Sequence, residues 1–265
     1  MSTIALTCRY CRLGWDAGAP PREESLSLAE QAFALPAEQC ALVLVDCWDN
    51  HYIRSHLERT NRIVIERIAP VIRACRGAGV PIIHAPSPPT AQKYPQWTAY
   101  ASDVELGFAP PAEAPDWPPP DFCSRTGGYA GFGKPSEPAI EEEIRAELPF
   151  QKIVEAIAPQ EGDFVVATGE QLHRLLRHRG GLHLLYAGFA ANMCVPGRDY
   201  GTRAMQRRGY NVILLRDCTT AIEGPGTVET QGLTQAAILE HEMIIGHTAT
   251  SADLIAACQA AERLP

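Results

Sequence analysis

The chain of 265 residues is 46% hydrophobic and 20% charged, ordinary globular values, and it is long enough to bury a full core without disulfide staples. Its 31 acidic and 23 basic side chains give a net charge of -8 with the basic residues scattered, which argues against nucleic acid or an anionic membrane surface as partner. No apolar run approaches the roughly 20 residues of a membrane helix, the first 13 residues carry arginines where a signal peptide is apolar, and a soluble cytoplasmic protein is expected.

Residues 1–37 read as an N-terminal arm ahead of one domain over 38–265. Cys8 and Cys11 form a C-x-x-C pair in that arm, without the second pair of a zinc ribbon or the strand and helix of a redox motif, so a solvated arm is expected there. The other cysteines show no repeating spacing and are expected to be mostly free thiols. Segments 41–45, 80–83, 164–166, 182–186, 212–215 and 243–245 are short and nearly all apolar, the pattern of parallel strands buried on both faces. Between them, Val64, Ile68, Val71, Ile72 and Cys75, then Leu172, Leu175 and Leu176, then Leu233, Ala236 and Ala237, keep the spacing of amphipathic helices. Thr250 with Asp253 reads as a capping box before a last helix over 254–261. The alternation predicts an α/β three-layer sandwich around a central six-stranded, mainly parallel sheet.

Residues 86–120 break the rhythm, holding ten of the 22 prolines together with Trp97, Tyr100, Phe108 and Trp117. A connection this long and aromatic predicts an ordered lid or a subunit contact rather than a disordered linker.

Chemistry in open parallel sheets collects at the carboxyl ends of strands. Asp46 closes the first predicted strand, where an acid is costly to bury unless paired or used; a helix cap or loop anchor is the plainer alternative. Cys194 follows the fourth predicted strand and opens a helix marked by Pro196. The helix dipole would favour a thiolate and the free N–H groups could bind an oxyanion, while an inert packing cysteine is the alternative.

Residues 43–46, residues 80–84, Gly188-Phe189-Ala190-Ala191-Asn192-Met193-Cys194-Val195, Gly209 and Asp217 together resemble the isochorismatase-like cysteine hydrolases, which include nicotinamidases, N-carbamoylsarcosine amidases and ureidoacrylate hydrolases. The likeness spans roughly 38–258, the Cys194 segment is its most specific part, and the run Asp46-Cys47-Trp48-Asp49-Asn50-His51 is similar to that of nicotinamidase-related proteins. The resemblance implies an Asp, Lys and Cys catalytic set with Asp46 as general base and Cys194 as nucleophile. It also implies a cis peptide joining Phe189 to Ala190, an oxyanion hole of the Ala190 and Cys194 N–H groups, and dimers or tetramers.

The lysine of that set has no counterpart in its motif, where Thr168 stands and is taken as the third member. The three lysines are Lys93, Lys134 and Lys152, of which Lys93 and Lys152 are read either as surface residues or as a relocated lysine. Nicotinamidase metal ligands after the second strand are replaced by Pro86-Ser87-Pro88-Pro89. A divalent metal near Asp49, His51 and His56 is the lesser alternative to a substrate pocket lined by Trp48 and His51, and no cofactor is required. His84 reads as a hydrogen-bonded core histidine, and Arg198 as facing either the pocket or a neighbouring subunit. The function implied is hydrolysis of a small amide or carbamoyl carbon–nitrogen bond through a thioester. The alternative is a catalytically silent relative that binds a small molecule or serves as an assembly subunit.

Overall fold

Strands that are apolar on both faces belong in a sheet covered on both sides, and five of the six predicted runs form strands of such a sheet. The computed structural model describes residues 2–14, 18, 20–107, 109, 117–135 and 137–262. Strands β1 (Thr3–Leu13) and β2 (Leu26–Pro36) form an antiparallel hairpin. Strands β3 (Cys40–Val45), β4 (Ile82–Ala85), β5 (Phe164–Val165), β6 (His183–Phe189), β7 (Asn211–Thr220) and β8 (His247–Ala249) follow as a parallel set. The eight make one sheet in the order β2-β1-β8-β7-β6-β3-β4-β5.

Alternate residues of each inner strand enter opposite layers. Leu42, Leu44, Ile82, Leu185 and Ile213 pack against helix α2 (Ala69–Gly77) and helix α10 (Ser251–Glu262) through Val71, Ile72 and Leu254. On the other face Val43, Val45, Ile83, Tyr186 and Leu214 meet Leu172, Leu175 and Leu176 of helix α6 (Gly169–Arg179) and Met205 of helix α8 (Thr202–Arg207). Helix α1 (Arg54–Ile63) runs into α2 through a π turn at Val64–Ile68. Pro70, in the first turn of α2, has no N–H to donate to a carbonyl of that turn, a usual cause of such a break. Helix α9 (Gly232–Ile244) contacts β1, β7 and β8. The remaining helices are α3 (Pro88–Ala91), α4 (Pro120–Ser124), α5 (Pro138–Glu147) and α7 (Cys194–Gly197).

Two expectations are corrected. The first 37 residues are not a solvated arm, since Ile4, Leu6 and Cys8 of β1 are fully buried or nearly so and the hairpin brings the sheet from six strands to eight. The apolar run 243–245 is not a strand; it ends α9, and the sheet continues at β8 just beyond. Gly246 sits between them with its α-carbon so close to the Val212 carbonyl oxygen that a Cβ would lie 2.3 Å from it, which seals the junction against β7.

The capping box at α10 forms, with the Asp253 N–H donating to Thr250 Oγ1 at 3.1 Å. Asp217 serves the same helix, because a register shift in β7 turns its carboxylate toward the Ser251 N–H (2.7 Å) and hydroxyl (2.6 Å). Within 86–120, the part from Trp97 to Glu105 is fastened to α6: Gln171 donates to the Trp97 and Ala99 carbonyls and Arg174 to Tyr100 and Glu105. Phe108 lies outside the described residues, and Trp117 is 75% exposed.

The parallel strand order reverses at β3, since the chain leaves it for β4 on one side while β6 lies on the other. Loops leaving adjacent strands in opposite directions open a crevice at their carboxyl ends, and the loops after β3 and β6 are those that carry Asp46 and Cys194.

Candidate active site

Asp46 follows the last residue of β3 and holds a left-handed backbone conformation, φ 47°, which a short polar side chain tolerates better than most. Such strain in a residue 1% exposed persists where the surroundings over-determine it. Here the Asp46 N–H donates to the Ala85 carbonyl (3.2 Å) and its own carbonyl accepts from the Trp48 N–H (3.0 Å). The side chain accepts from Arg198 through Nε (3.0 Å) and Nη2 (2.9 Å), both on Oδ2.

Cys194 opens α7, a single turn whose helical dipole is correspondingly small. Its thiol neighbours the Asp46 carboxylate. Burial first, and then Asp46, pushes the thiol up to about 12, against the pull of Arg198 and of the Ala190 N–H. The helix terminus therefore does not yield the thiolate that location alone suggests, and the resting group is a thiol. Burial likewise raises the Asp46 carboxyl above its ordinary value, opposed chiefly by Arg198 and then by hydrogen bonding with Cys194 and the Ser87 N–H.

The loop under Cys194 is held from three sides. The peptide joining Phe189 to Ala190 is cis. The Ala190 carbonyl accepts from the Met193 (3.0 Å) and Val195 (3.2 Å) N–H groups, and the Ala191 N–H donates to Thr220 (3.0 Å). Asn192 exchanges two hydrogen bonds with the backbone of Ile222, both 3.1 Å. Ala190 presents its N–H to the sulfur, and Cys194, as the first residue of its helix, has an N–H without an intrahelical acceptor.

A cavity of about 140 Å³ opens over Cys194 and Ala190. Trp48, His51 and Tyr52 form a stacked aromatic wall with ring centroids 5.9 and 4.4 Å apart, and His56 meets His51 edge-on at 5.1 Å. Phe189, Met193, Ile222 and Leu148 complete the apolar lining, with Gln151 its neutral polar member. The Ile53 N–H donates to His51 Nδ1 at 3.0 Å, so the neutral ring carries its proton on Nε2. Burial lowers His51, and burial with the neighbouring His51 and Arg59 lowers His56 to about 4, so both rings are neutral at pH 7. A larger hollow of about 330 Å³ lies at the amino ends of β4 and β5, where Arg76 pairs with Asp163 at 2.5 Å, away from both Asp46 and Cys194.

The remaining candidates lie elsewhere. Thr168 is the N-cap of α6, its hydroxyl accepting from the Gln171 N–H (3.0 Å) and donating to Glu105. Lys93 Nζ donates to the Pro149 and Gln151 carbonyls, both 2.6 Å, and Lys152 is exposed. The cation at Asp46 is thus neither of those lysines but Arg198, one helical turn after Cys194; that spacing was the available signal. Asp49 turns to the backbone of Lys152 (2.8 Å), and no group of three or more metal-ligating side chains converges among the described residues. His84 is 1% exposed in the core, 3.5 Å from Asp163.

The profile of the isochorismatase domain matches residues 40–243. In three dimensions the chain is similar to a cysteine hydrolase from Pseudomonas syringae pv. phaseolicola, at 18% identity and a TM-score of 0.54 over 86% of this chain and 95% of that one. It is also similar to N-carbamoylsarcosine amidase from Thermoplasma acidophilum, at 17% identity and a TM-score of 0.44 over 80% and 96% of the two chains. No protein among the curated ones matches. With the profile covering most of the chain and the parallel sheet in place, the chain belongs to the isochorismatase family.

Proposed function

We propose that the protein is a cysteine-dependent hydrolase that cleaves the carbon–nitrogen bond of a small, uncharged amide or carbamoyl substrate. The observation that carries this reading is the meeting of Asp46 and Cys194 beside one aromatic cavity at the point where the strand order reverses. Asp46 takes the thiol proton as sulfur attacks the carbonyl carbon, which suits a thiol that is protonated at rest. The Ala190 and Cys194 N–H groups meet the negative oxygen. Asp46 then returns the proton to the leaving nitrogen, the carbon–nitrogen bond breaks, and the amine departs. Water attacks the thioester, releasing the acid and restoring the thiol. These steps use side chains, backbone and water, and no cofactor enters them.

The substrate's lack of charge follows from the walls. The lining of the cavity contains no Asp, Glu, Lys or Arg, and its two histidines are neutral at pH 7. A carboxylate or ammonium on the substrate would be desolvated there without a partner. A panel of small amides and carbamoyl compounds, matched in size with and without a carboxylate, tests this by amine or ammonia release and by the mass of the Cys194 peptide. Turnover and an acyl adduct on Cys194 are expected from uncharged members. Failure of every uncharged member to give either would overturn the reading.

The second reading is a silent member of the family that binds a small molecule or serves in an assembly. It is favoured by Thr168, whose hydroxyl is committed to a helix cap where a catalytic lysine was expected. Ligand binding without turnover or adduct in the same panel would select it.

Assembly into homo-oligomers is part of the proposal. Trp117, Phe132 and Phe150 are 75%, 69% and 73% exposed along 117–150, a stretch in which no described residue is buried, and aromatic side chains of this kind anchor interfaces. Light scattering of the intact chain is expected to give a dimer or tetramer mass, and a monodisperse monomer would refute assembly. Among the described residues no helix is long and apolar enough to cross a membrane.

A further inference from the structure

We infer that Arg198 is the positioning residue of this site, a fixed cation that keeps Asp46 ionised and aims its free oxygen at Cys194, in the place of the lysine expected at the end of β5. The inference rests on the reading of Asp46 and Cys194 as base and nucleophile.

Three features of the geometry carry it. Both Arg198 donors fall on Oδ2, so one carboxylate oxygen is fixed by the cation. Oδ1 is buried and forms no hydrogen bond of good geometry, with the Cys194 thiol and the Ser87 N–H as the polar groups near the carboxylate. One oxygen is thereby held and the other left to receive a proton. Second, the side chain of Arg198 is 31% exposed while that of Asp46 is fully buried, so the pair straddles the boundary of the protein. The guanidinium stays partly hydrated, and the carboxylate gains a counter-charge that it cannot obtain from solvent. Third, Arg198 closes the turn that Cys194 opens, its N–H donating to the Cys194 carbonyl at 3.1 Å. Cation and nucleophile share one rigid turn, so the distance from sulfur to carboxylate is set by the same ion pair.

The other groups facing Asp46 supply no positive charge at pH 7. His51, from the segment that leads into α1, and His56, in the first turn of that helix, are neutral. Cys47, next in the chain, and Tyr200, beyond α7, are both raised by burial first and by Asp46 itself, so they are protonated and uncharged. Ser87 offers a backbone N–H. Among the described residues, Arg198 is therefore the one cation that can offset the cost of burying this carboxylate as an anion. A guanidinium also differs from an ammonium in having no accessible deprotonated form, so it holds the carboxylate without exchanging protons with it.

Alkylation of Cys194 by iodoacetamide, read on the Cys194 peptide of the full-length protein, tests this without any substrate. Where Asp46 is ionised it assists loss of the thiol proton, so the rate rises with pH through the Asp46 midpoint. Arg198→Gln keeps a hydrogen-bond donor and removes the charge. It is expected to move that midpoint up by about 1 to 3 pH units, with at least about a tenfold slower reaction at neutral pH. Arg198→Lys is expected to fall between the two. An unchanged midpoint in folded Arg198→Gln would overturn the inference. Should that variant not fold, the wild-type protein decides by infrared difference against Asp46→Asn: an ionised carboxylate at neutral pH is expected, and a protonated one would overturn the inference. Amides that all fail to turn over, with the midpoint still moved in Arg198→Gln, would sink the hydrolase reading and leave the role of Arg198 standing.

Discussion

Asp46→Asn is expected to lower turnover by roughly 10²- to 10⁴-fold in a protein that remains folded, the usual range for loss of a placed general base. The amide matches the carboxylate in shape and can still accept from Arg198, whose partly exposed side chain regains water where the ion pair is lost. What goes is the acceptor for the thiol proton, and with the thiol pushed up to about 12 no other route supplies a useful amount of thiolate at neutral pH. Cys194→Ala removes the covalent path and should cost at least as much. Because base and nucleophile act as one unit, the double variant is expected to be no slower than Cys194→Ala alone. Single-turnover kinetics on whichever uncharged amide reacts would show this. An additive double variant would mean that Asp46 contributes by a path that does not pass through the cysteine.

Much of this centre was legible in the sequence because burial on both faces leaves an unmistakable mark. The run 41–45 has no polar residue to offer either layer, so the acid that ends it had to lie at the carboxyl end of the sheet, and the same logic placed Cys194 beyond β6. The hairpin was harder to see. Ile4, Leu6 and Cys8 alternate as a one-faced strand should, but β2 is mostly exposed and its pattern resembles an arm. The stretch 243–245 is apolar enough for a strand, and only its place at the end of a 13-residue helix makes it otherwise. The cation of the site shows a deeper limit. Motif position directed attention to Thr168 after β5, whereas the charge arrives from the turn after β6; spacing put Arg198 one turn beyond Cys194 but left it facing either the pocket or a neighbouring subunit, and only the folded chain brings it to the carboxylate. The wall formed by Tyr52, Met193 and Ile222 is of the same kind, drawn from loops after three different elements.

Gly188→Ala should be the most damaging small substitution in the fold. Gly188 lies opposite Val45 in the β3–β6 ladder, immediately before the residues that turn Asp46 and Ala190 into the site. Its φ is 119°, a conformation that side chains rarely adopt, and an added Cβ would fall 1.9 Å from the Val45 carbonyl oxygen and 2.7 Å from its nitrogen. Neither atom can yield without breaking the ladder, so the two strands must part where the strand order reverses. Thr219 would feel it as well, since its hydroxyl donates to the Gly188 carbonyl at 2.7 Å. Backbone strain together with lost packing is expected to cost about 3 kcal/mol or more, read as a lower urea midpoint at constant slope. Gly162→Ala is the control, because that glycine also has a positive φ, 89°, but open space where its Cβ would stand, and the strain alone should cost about 1 kcal/mol. The fraction of Gly188→Ala that stays folded should also alkylate slowly at Cys194, since parting β3 from β6 draws the carboxylate away from the sulfur. Equal stability of the two variants would mean that β3 and β6 do not meet as closely at Val45 as the geometry requires.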